Sequence, residues 1–206
     1  MIDCIFAQMT RAPVPGEVKT RLLPVLSAQQ AAELHRAMTE SVYKTLRSVS
    51  DHARLWSTGS WNDFAGCADE VFQQRGDDLG ERMGHVCQEA LRETSRVVLV
   101  GSDCPLIDAP YLIRAAQLLA EVDVVFGPAL DGGYVLLGLK QYTPELFSNI
   151  AWGQASVLEE SIAAVRGLGW SYELLQPLSD VDTPEDLVHL PVSLRAALPP
   201  ELLAGI

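Results

Sequence analysis

A run of apolar residues that ends at an acidic turn constrains the fold of this chain more than any other stretch. Val97–Val100 are four consecutive aliphatic residues without polar alternation, and Gly101 and Asp103 follow closely. This pattern is typical of a strand that is buried on both faces of a parallel sheet. Ligands of open α/β sheets bind beyond the carboxyl ends of strands, so Asp103 is a candidate for holding a divalent cation against a phosphate-bearing substrate. The alternative is that Asp103 only turns the chain or caps the following helix.

Strand and helix patterns alternate along the rest of the chain. β-Strands are predicted at residues 2–7, 53–57, 71–74, 123–128 and 170–174. α-Helices are predicted at residues 28–49, 78–94, 110–121 and 155–167, followed by short helical pieces in the segment 190–206. This succession favours right-handed crossovers and a parallel sheet. Because no repeat, low-complexity tract or linker interrupts residues 1–206, the sequence predicts a single domain.

The predicted helix 28–49 is amphipathic and follows Ser27, a good N-cap residue. Its apolar residues recur at three- and four-residue spacing and are predicted to form one buried stripe, namely Ala31, Leu34, Met38, Val42 and Leu46. The sequence predicts that His35, beside this stripe, faces solvent and is not a ligand.

The distribution of charge indicates the kind of partner. The formal net charge of −12 argues against nucleic acid or an anionic membrane as a partner, since both favour basic surfaces. Residues 1–26 differ, because Arg11, Lys19 and Arg21 outnumber Asp3 and Glu17 and give a local net charge of +1. A basic loop in an acidic chain indicates a specific anion site.

The four cysteines, Cys4, Cys67, Cys87 and Cys104, are far apart and lack the spacing of a zinc site. They are predicted to be reduced thiols. No signal peptide precedes the first predicted strand, and no apolar run reaches membrane-spanning length. We therefore expect a cytoplasmic protein.

The loop after the first predicted strand carries the three cations. In α/β folds, this loop is the usual phosphate cradle, where lysine acts as a point charge and arginine as a bidentate clamp. The glycine spacing of a Walker loop is absent. The alternative is an ordinary solvated basic loop.

Two further acidic stretches follow predicted strands. Residues 131–133, Asp-Gly-Gly, are typical of a tight turn or of a loop that lies against a ligand. Near the end of the chain, helix capping accounts for residues 183–186. Capping does not account for Asp180 and Asp182, which precede them.

Five separated segments, taken in order, resemble the glycosyltransferase-A-like (GT-A) nucleotide-diphospho-sugar transferase superfamily. Within it, the chain is similar to the small bacterial cofactor-guanylyltransferase-like glycosyltransferases (DUF2064, the arsenosugar biosynthesis glycosyltransferase type). The segments span nearly the whole chain and are residues 15–22, 76–83, 101–105, 127–134 and 180–187.

The resemblance implies a three-layer α/β/α fold with a mostly parallel central sheet that binds a nucleotide at its strand ends. It implies a Mg²⁺ or Mn²⁺ ion held by Asp103 and Asp182. The remaining implied contacts form two groups. The nucleotide side comprises Arg11, Lys19, Arg21 and Ser102, and the acceptor side comprises Asp131, Gly132, Gly133 and Tyr134.

Three functions remain open on this resemblance. The first is a glycosyltransferase that moves a sugar from a nucleoside-diphosphate sugar to a small acceptor, with Asp131 as the base for the acceptor hydroxyl. The second is a nucleotidylyltransferase that joins the monophosphate of a nucleoside triphosphate to a small phosphorylated metabolite, with Lys19 and Arg21 stabilising the transition state. The single acid at 101–103 is a feature shared with nucleotidylyltransferases. The third is a non-catalytic nucleotide-binding protein, and a homodimer also remains open.

Overall fold

A computed structural model describes residues 3–64 and 66–203 of the chain. The strands are β1 (Ile5–Thr10), β2 (Ala53–Ser57), β3 (Val71–Gln73), β4 (Val97–Val100), β5 (Val124–Pro128), β6 (Tyr134–Leu139) and β7 (Tyr172–Leu174). The α-helices are α1 (Ala28–Val49), α2 (Leu79–Leu91), α3 (Ala109–Leu118), α4 (Val157–Gly167), α5 (Val192–Arg195) and α6 (Pro200–Leu203). Short 3-10 helices cover Thr20–Leu22, Trp61–Phe64, Pro144–Phe147 and Pro184–His189.

The strands form one sheet in the order β3-β2-β1-β4-β6-β5-β7. All neighbouring pairs are parallel except those of β6, which runs antiparallel to both β4 and β5. The tight turn predicted at residues 131–133 explains this exception, because it joins β5 directly to β6 as a hairpin. The prediction of a mostly parallel sheet is confirmed.

Helices cover both faces of the sheet, which confirms the three-layer architecture. Along β1, Phe6 packs with α1 and α3, whereas Ile5 and Ala7 pack on the opposite face with α2 and α4. Successive side chains of a strand point to opposite faces, and here both faces are buried. This burial accounts for the unbroken apolar run of β4.

Three of the described helices begin at a residue whose side chain caps the first turn. Ser27 forms a capping box at the start of α1, and Asp78 caps α2 by accepting a hydrogen bond from the Glu81 backbone N–H. Asp108 caps α3 by accepting from the backbone N–H of Tyr111 at 2.8 Å. Asp108 therefore caps the helix that follows β4, and the alternative that Asp103 is this cap is wrong.

The first strand extends further than the sequence predicts. It continues past Ala7 through Gln8 and Thr10, because these polar side chains are buried with hydrogen-bond partners. The predicted strand start at Ile2 lies outside the described residues, as do residues 204–206 of the predicted helical tail. Among the residues that the structure describes, no helix has the length and apolarity needed to cross a bilayer.

The prediction that His35 faces solvent is wrong, because its exposed fraction is 3%. One side of α1 packs on the sheet through Val42 and Leu46. Another side, at Leu34 and Met38, packs against the C-terminal segment 181–198. The sheet and the C-terminal segment therefore bury more of the surface of α1 than its single apolar stripe predicts, and His35 lies within the buried part.

Candidate functional site

A cleft of about 560 Å³ lies across the carboxyl ends of β1 and β4. This volume falls within the range of small-molecule pockets, about 300 to 1,000 Å³. Thr10 and residues 99–103, at the ends of these two strands, line it. Seven of the predicted site residues line it, namely Arg11, Lys19, Arg21, Ser102, Asp103, Tyr134 and Asp182.

Lys19 is the centre of an ion cluster in this cleft. Its side chain is only 3% exposed, and its Nζ contacts Asp103 Oδ1 and lies 2.9 Å from Asp182 Oδ1. The same Nζ donates to the Val181 carbonyl oxygen at 2.6 Å. The two carboxylates remain 48% and 37% exposed, so they face the cleft while the ammonium lies behind them.

The charges in this cluster hold one another in the ionised form. Burial alone lowers the pKa of Lys19, but the adjacent Asp103 and Asp182 carboxylates outweigh it and raise the pKa above its ordinary value. Burial likewise raises the pKa of Asp103, and the Lys19 ammonium outweighs this effect, so the pKa lies below its ordinary value. At neutral pH Lys19 is therefore an ammonium and Asp103 a carboxylate.

Local backbone geometry places Lys19. Its φ of 48° and ψ of 39° are left-handed, and Lys19 caps the 3-10 helix that begins at Thr20. A left-handed conformation costs a non-glycine residue about 1 kcal/mol. The strained residue is the one whose ammonium contacts both carboxylates. Backbone strain of this kind is often found at functional sites.

The chain after β7 brings Asp182 to the cluster. The backbone N–H of Val181 donates to the Asp103 carbonyl oxygen at 2.8 Å, which fixes this segment against the end of β4. Asp186 then accepts hydrogen bonds from the backbone N–H groups of Asp182 and Thr183, at 3.0 and 2.7 Å. Thr183 is the N-cap of the 3-10 helix that follows, and the hydrogen bonds accepted by the Asp186 carboxylate hold Asp182 in place.

A buried polar network lies under the cluster on the α1 side. Thr10 Oγ1 donates to Ser102 Oγ at 3.3 Å and lies 3.2 Å from His35 Nε2. His35 Nε2 also lies 3.1 Å from the Arg11 carbonyl oxygen. His35 therefore connects α1 to the basic loop, a role that sequence reasoning missed because one sequence does not show which part of a helix other segments cover.

Two cations of the cleft have no carboxylate partner among the residues that the structure describes. Arg11 donates to the Glu17 carbonyl oxygen at 3.3 Å, and Arg82 donates through Nε to the Gly76 carbonyl oxygen at 3.0 Å. Arg21 differs, since its Nη1 lies 3.7 Å from Asp182 Oδ2. Arg82 was not among the predicted site residues, although it belongs to the segment 76–83 that carries the resemblance.

The carboxylates of Asp103 and Asp182 fit a divalent cation whose remaining ligands come from the substrate and water. Asp103 and Asp182 contact the same Nζ, which places their carboxylates within about 6 Å of each other, two hydrogen-bond lengths. Mg²⁺ is commonly bound by one or two carboxylates together with substrate phosphates and water. Within residues 3–64 and 66–203, no group of three or more His, Cys, Asp or Glu side chains forms a complete cage.

The Asp131 turn lies outside the lining of the cleft. Asp131 Oδ1 accepts from the Gly133 backbone N–H at 2.9 Å and so closes its own turn. Gly132 has φ of +95°, and a Cβ there would lie 2.1 Å from the Ala155 carbonyl oxygen. Burial, and then the charges of Asp131 and Asp182, raise the pKa of Asp180 to about 6. Of the predicted acceptor group, Tyr134 lines the cleft, whereas Asp131, Gly132 and Gly133 do not.

Several known proteins are similar to this chain. The 2-phospho-L-lactate guanylyltransferase of Methanocorpusculum labreanum is 27% identical over 179 residues, which cover 85% of this chain and 78% of that protein. The enzyme of the same name from Methanothermobacter thermautotrophicus is 30% identical over 174 residues, covering 82% and 76%. A solved structure from Desulfovibrio desulfuricans G20, provisionally named a nucleotide-diphospho-sugar transferase, is 32% identical with a TM-score of 0.85 and covers 100% of this chain and 95% of that one.

A family model matches the chain as well. The family is described as "Uncharacterized protein conserved in bacteria (DUF2064)", and the match covers residues 42–154, more than half of the chain. The names of these three similar proteins describe transferases. The chain belongs to the DUF2064 family, and its fold is that of the nucleotide-diphospho-sugar transferases.

Proposed function

We propose that this protein is a nucleotidyltransferase that joins the monophosphate of a nucleoside triphosphate to a small phosphorylated metabolite. The observation that carries the proposal is the ion cluster at the strand ends, where buried Lys19 contacts the cleft-facing carboxylates of Asp103 and Asp182. The similarity to guanylyltransferases supports GTP as the donor.

The position of Asp131 favours nucleotidyl transfer over glycosyl transfer. Transfer of a sugar to a hydroxyl group is assisted by a base that removes the hydroxyl proton. Asp131, the residue expected to do so, closes its own turn and does not line the cleft. A phosphate acceptor needs no base, because its second pKa of about 6 leaves it ionised at neutral pH.

The proposed step balances without a proton transfer. An oxygen of the acceptor phosphate attacks the α-phosphorus of the triphosphate in line, and a new P–O bond forms. The bond from the α-phosphorus to the oxygen bridging to the β-phosphorus breaks, and pyrophosphate leaves with the electron pair. Charge accumulates on the leaving group, so the main task of the protein is to position and neutralise phosphates.

The residues of the cleft have distinct tasks in this step. Arg11 and Arg21 are exposed on the loop after β1 and bind the phosphates of the donor. Lys19 remains protonated and fixes Asp103 and Asp182. These two carboxylates would hold a Mg²⁺ or Mn²⁺ ion, which would neutralise charge on the phosphates.

A thermal-shift experiment tests the proposal. The melting temperature is measured with the four nucleoside triphosphates and with UDP- and GDP-sugars, in the presence of Mg²⁺ or Mn²⁺, for the wild type, Asp103→Ala and Asp131→Ala. A ligand at 100 times its Kd stabilises the folded state by about 2.7 kcal/mol, which corresponds to about 5 to 10 °C here. We expect such a shift with GTP and the metal ion, lost in Asp103→Ala and retained in Asp131→Ala.

The other outcomes decide between the alternatives. A shift with a nucleotide sugar and none with any triphosphate supports the glycosyltransferase. A shift with GTP but no turnover of any donor supports a non-catalytic nucleotide-binding protein. The absence of any nucleotide-dependent shift contradicts all three functions.

A further inference from the structure

A glutamine that follows β3 lines the part of the cleft at the ends of β1 and β2. The backbone N–H of Gln74 donates to the Ser57 carbonyl oxygen at 3.0 Å, which continues the pairing of β2 with β3 by one residue. The Gln74 side chain is half-buried, lines the cleft and reaches across β2 to the end of β1. Gln74 has no task in the step proposed above.

Both N–H groups of the Gln74 amide are used within the protein. Nε2 donates to the Thr10 carbonyl oxygen at 2.7 Å and to the Trp56 carbonyl oxygen at 2.9 Å. The reverse orientation of the amide would place Oε1 against these two acceptors, so the positions of its N and O atoms are fixed. Within the part of the chain that the structure describes, Oε1 accepts no hydrogen bond. A hydrogen-bond acceptor on the wall of the cleft is therefore left for a ligand.

This acceptor selects a different part of a ligand from the part that the cations of the cleft select. Ionised phosphate and carboxylate oxygens are acceptors and form no hydrogen bond with an amide oxygen. The ligand group opposite Gln74 Oε1 must therefore carry an N–H or an O–H. In a nucleoside triphosphate, the base and the ribose carry these donors.

The surface beside Gln74 is apolar and fits the face of a flat ring. Leu79 and Met83 of α2 line the cleft, and Leu79 is 47% exposed. Gly76 brings the chain after Gln74 close to α2, because it has a φ of +136° and a Cβ there would lie 2.8 Å from the Arg82 backbone nitrogen. Ribose hydroxyls against such side chains would lose hydrogen bonds to water, whereas the faces of a nucleobase lose none.

The position of Gln74 along the edge of the sheet also fits a base. Its amide lies between the ends of β1 and β2, whereas Asp103 follows β4, the neighbour of β1 on the other side. Adjacent strands are about 4.8 Å apart, so one and a half spacings, about 7 Å, separate the two positions along the edge. This interval accommodates a ribose between phosphates bound near Asp103 and a base beside Gln74.

We infer that Gln74 is a specificity-determining residue that binds the nucleobase of the donor, with Oε1 accepting a hydrogen bond from a ring N–H or an exocyclic amine. The inference rests on the proposed function, in which Arg11 and Arg21 bind the donor phosphates. The base then packs against Leu79 and Met83. A base without an N–H at this edge leaves Oε1 buried and unpaired, which weakens its binding.

Three purine nucleotides with the same ribose and triphosphate test this contact. GTP carries a ring N–H and an exocyclic amine, ITP carries the ring N–H alone, and purine riboside triphosphate carries neither. 2′-Deoxy-GTP and 3′-deoxy-GTP, which each lack one ribose hydroxyl, test the ribose. Each of the five nucleotides is titrated calorimetrically with Mg²⁺ into the wild type and the variants.

Three variants separate the acceptor from the rest of the side chain. Gln74→Met removes both the donors and the acceptor at similar size, and Gln74→Glu keeps an acceptor oxygen at the same chain length. Gln73→Met is the matched control, because Gln73 also donates to a backbone carbonyl oxygen, that of Thr58 at 3.2 Å, but does not line the cleft. Melting temperatures without nucleotide report whether each variant is folded.

We expect the wild type to bind GTP at least threefold more tightly than purine riboside triphosphate. In Gln74→Met this preference falls by about three- to tenfold, the range of one neutral hydrogen bond, while the preference for GTP over the two deoxynucleotides stays. Gln74→Glu and Gln73→Met keep the preference. ITP identifies the ligand donor, since it binds like GTP if the ring N–H is the partner and like purine riboside triphosphate if the amine is.

The inference is overturned if the wild type binds GTP and purine riboside triphosphate equally. It is also overturned if Gln74→Met weakens all five nucleotides by the same factor or none of them, or if Gln74→Glu loses the preference as Gln74→Met does, since Gln74 would then only support the ends of β1 and β2. Loss of the preference over a deoxynucleotide instead would assign Gln74 to the ribose. Failure of the wild type to bind any of the five nucleotides is a separate result, which contradicts the proposed function itself.

Discussion

Asp103 and Asp131 follow buried strands in the same way along the sequence, yet they lie in different surroundings. Asp103 meets the buried ammonium of Lys19, which a distant loop supplies, and its carboxylate faces the cleft. Asp131 meets the backbone of its own turn at Gly133 and does not line the cleft. An acid that follows a strand therefore indicates a site when a distant segment brings an opposite charge to it.

Replacement of the two acids provides the largest expected contrast. Asp103→Asn removes a carboxylate from the ion cluster, and we expect kcat/KM to fall about 10³-fold, as for loss of a central electrostatic group. We expect Asp131→Asn to change kcat/KM by less than about threefold, because Asp131 is exposed and does not line the cleft. The measurement is the rate of pyrophosphate release at varied GTP. Equal losses in the two variants would show that the turn at Asp131 also takes part in catalysis.

Lys19→Met tests whether the buried ammonium organises the cluster. We expect kcat/KM to fall about 10²-fold, because Asp103 and Asp182 lose the charge that holds them together. The pKa of Asp103 should rise, since Lys19 outweighs the burial that raises it, and the acid limb of the pH–rate profile should move to higher pH. Lys140→Met is the control, because Lys140 pairs with Asp123 away from the cleft at 3.7 Å. An unchanged acid limb in Lys19→Met would contradict the account.

Gly132→Ala tests whether the Asp-Gly-Gly turn is structural. A Cβ at this position would lie 2.1 Å from the Ala155 carbonyl oxygen, at a φ of +95°. We expect the free energy of unfolding to fall by about 2 to 3 kcal/mol. Gly16→Ala is a matched control, because Gly16 has a φ of +85° and no atom within 4 Å of the added Cβ. Its expected loss is about 1 kcal/mol, and urea denaturation measures both. Equal losses of stability in the two variants would show that the close approach of Gly132 to Ala155 does not require glycine.

His35 provides the smallest expected effect, a change in the pH dependence of stability. Burial lowers the pKa of His35 below its ordinary value of 6.5, and the opposing charge of Asp103 does not outweigh it. The folded state therefore prefers neutral His35, whose contribution to the free energy of unfolding is complete above pH 6.5 and decreases as the pH falls. His35→Gln should reduce the loss of stability between pH 8 and pH 5 in urea denaturation. An unchanged loss in His35→Gln would show that this residue does not titrate as described.

Much of the fold follows from local patterns. The helix α1 has the predicted bounds, and β2 and β4 lie where the apolar runs place them, because periodicity and capping residues act over short stretches. The insertion of antiparallel β6 between β4 and β5 was not predicted. It depends on pairing between strands that are distant in sequence, which no local pattern encodes.

The site was predicted in its residue types and only partly in its contacts. The loop containing Lys19 was recognised by its charge, but its position between Asp103 and Asp182 depends on a segment more than 160 residues away. His35 and Arg82 were missed for a related reason. Distant segments surround these two residues, namely the C-terminal segment, the basic loop and the ends of β1 and β4. The periodicity of apolar residues along one helix does not predict which distant segments will pack against it.

Phosphorus-31 NMR of a reaction mixture tests the central claim most directly. Wild-type protein is incubated with GTP, 2-phospho-L-lactate and Mg²⁺, and in parallel with GDP-mannose and the same acceptor. The account predicts equal amounts of pyrophosphate and of a new P–O–P-linked product from GTP, with GDP-mannose unchanged and with no product in Asp103→Asn. Release of GDP from GDP-mannose together with unchanged GTP would contradict nucleotidyl transfer and establish glycosyl transfer instead.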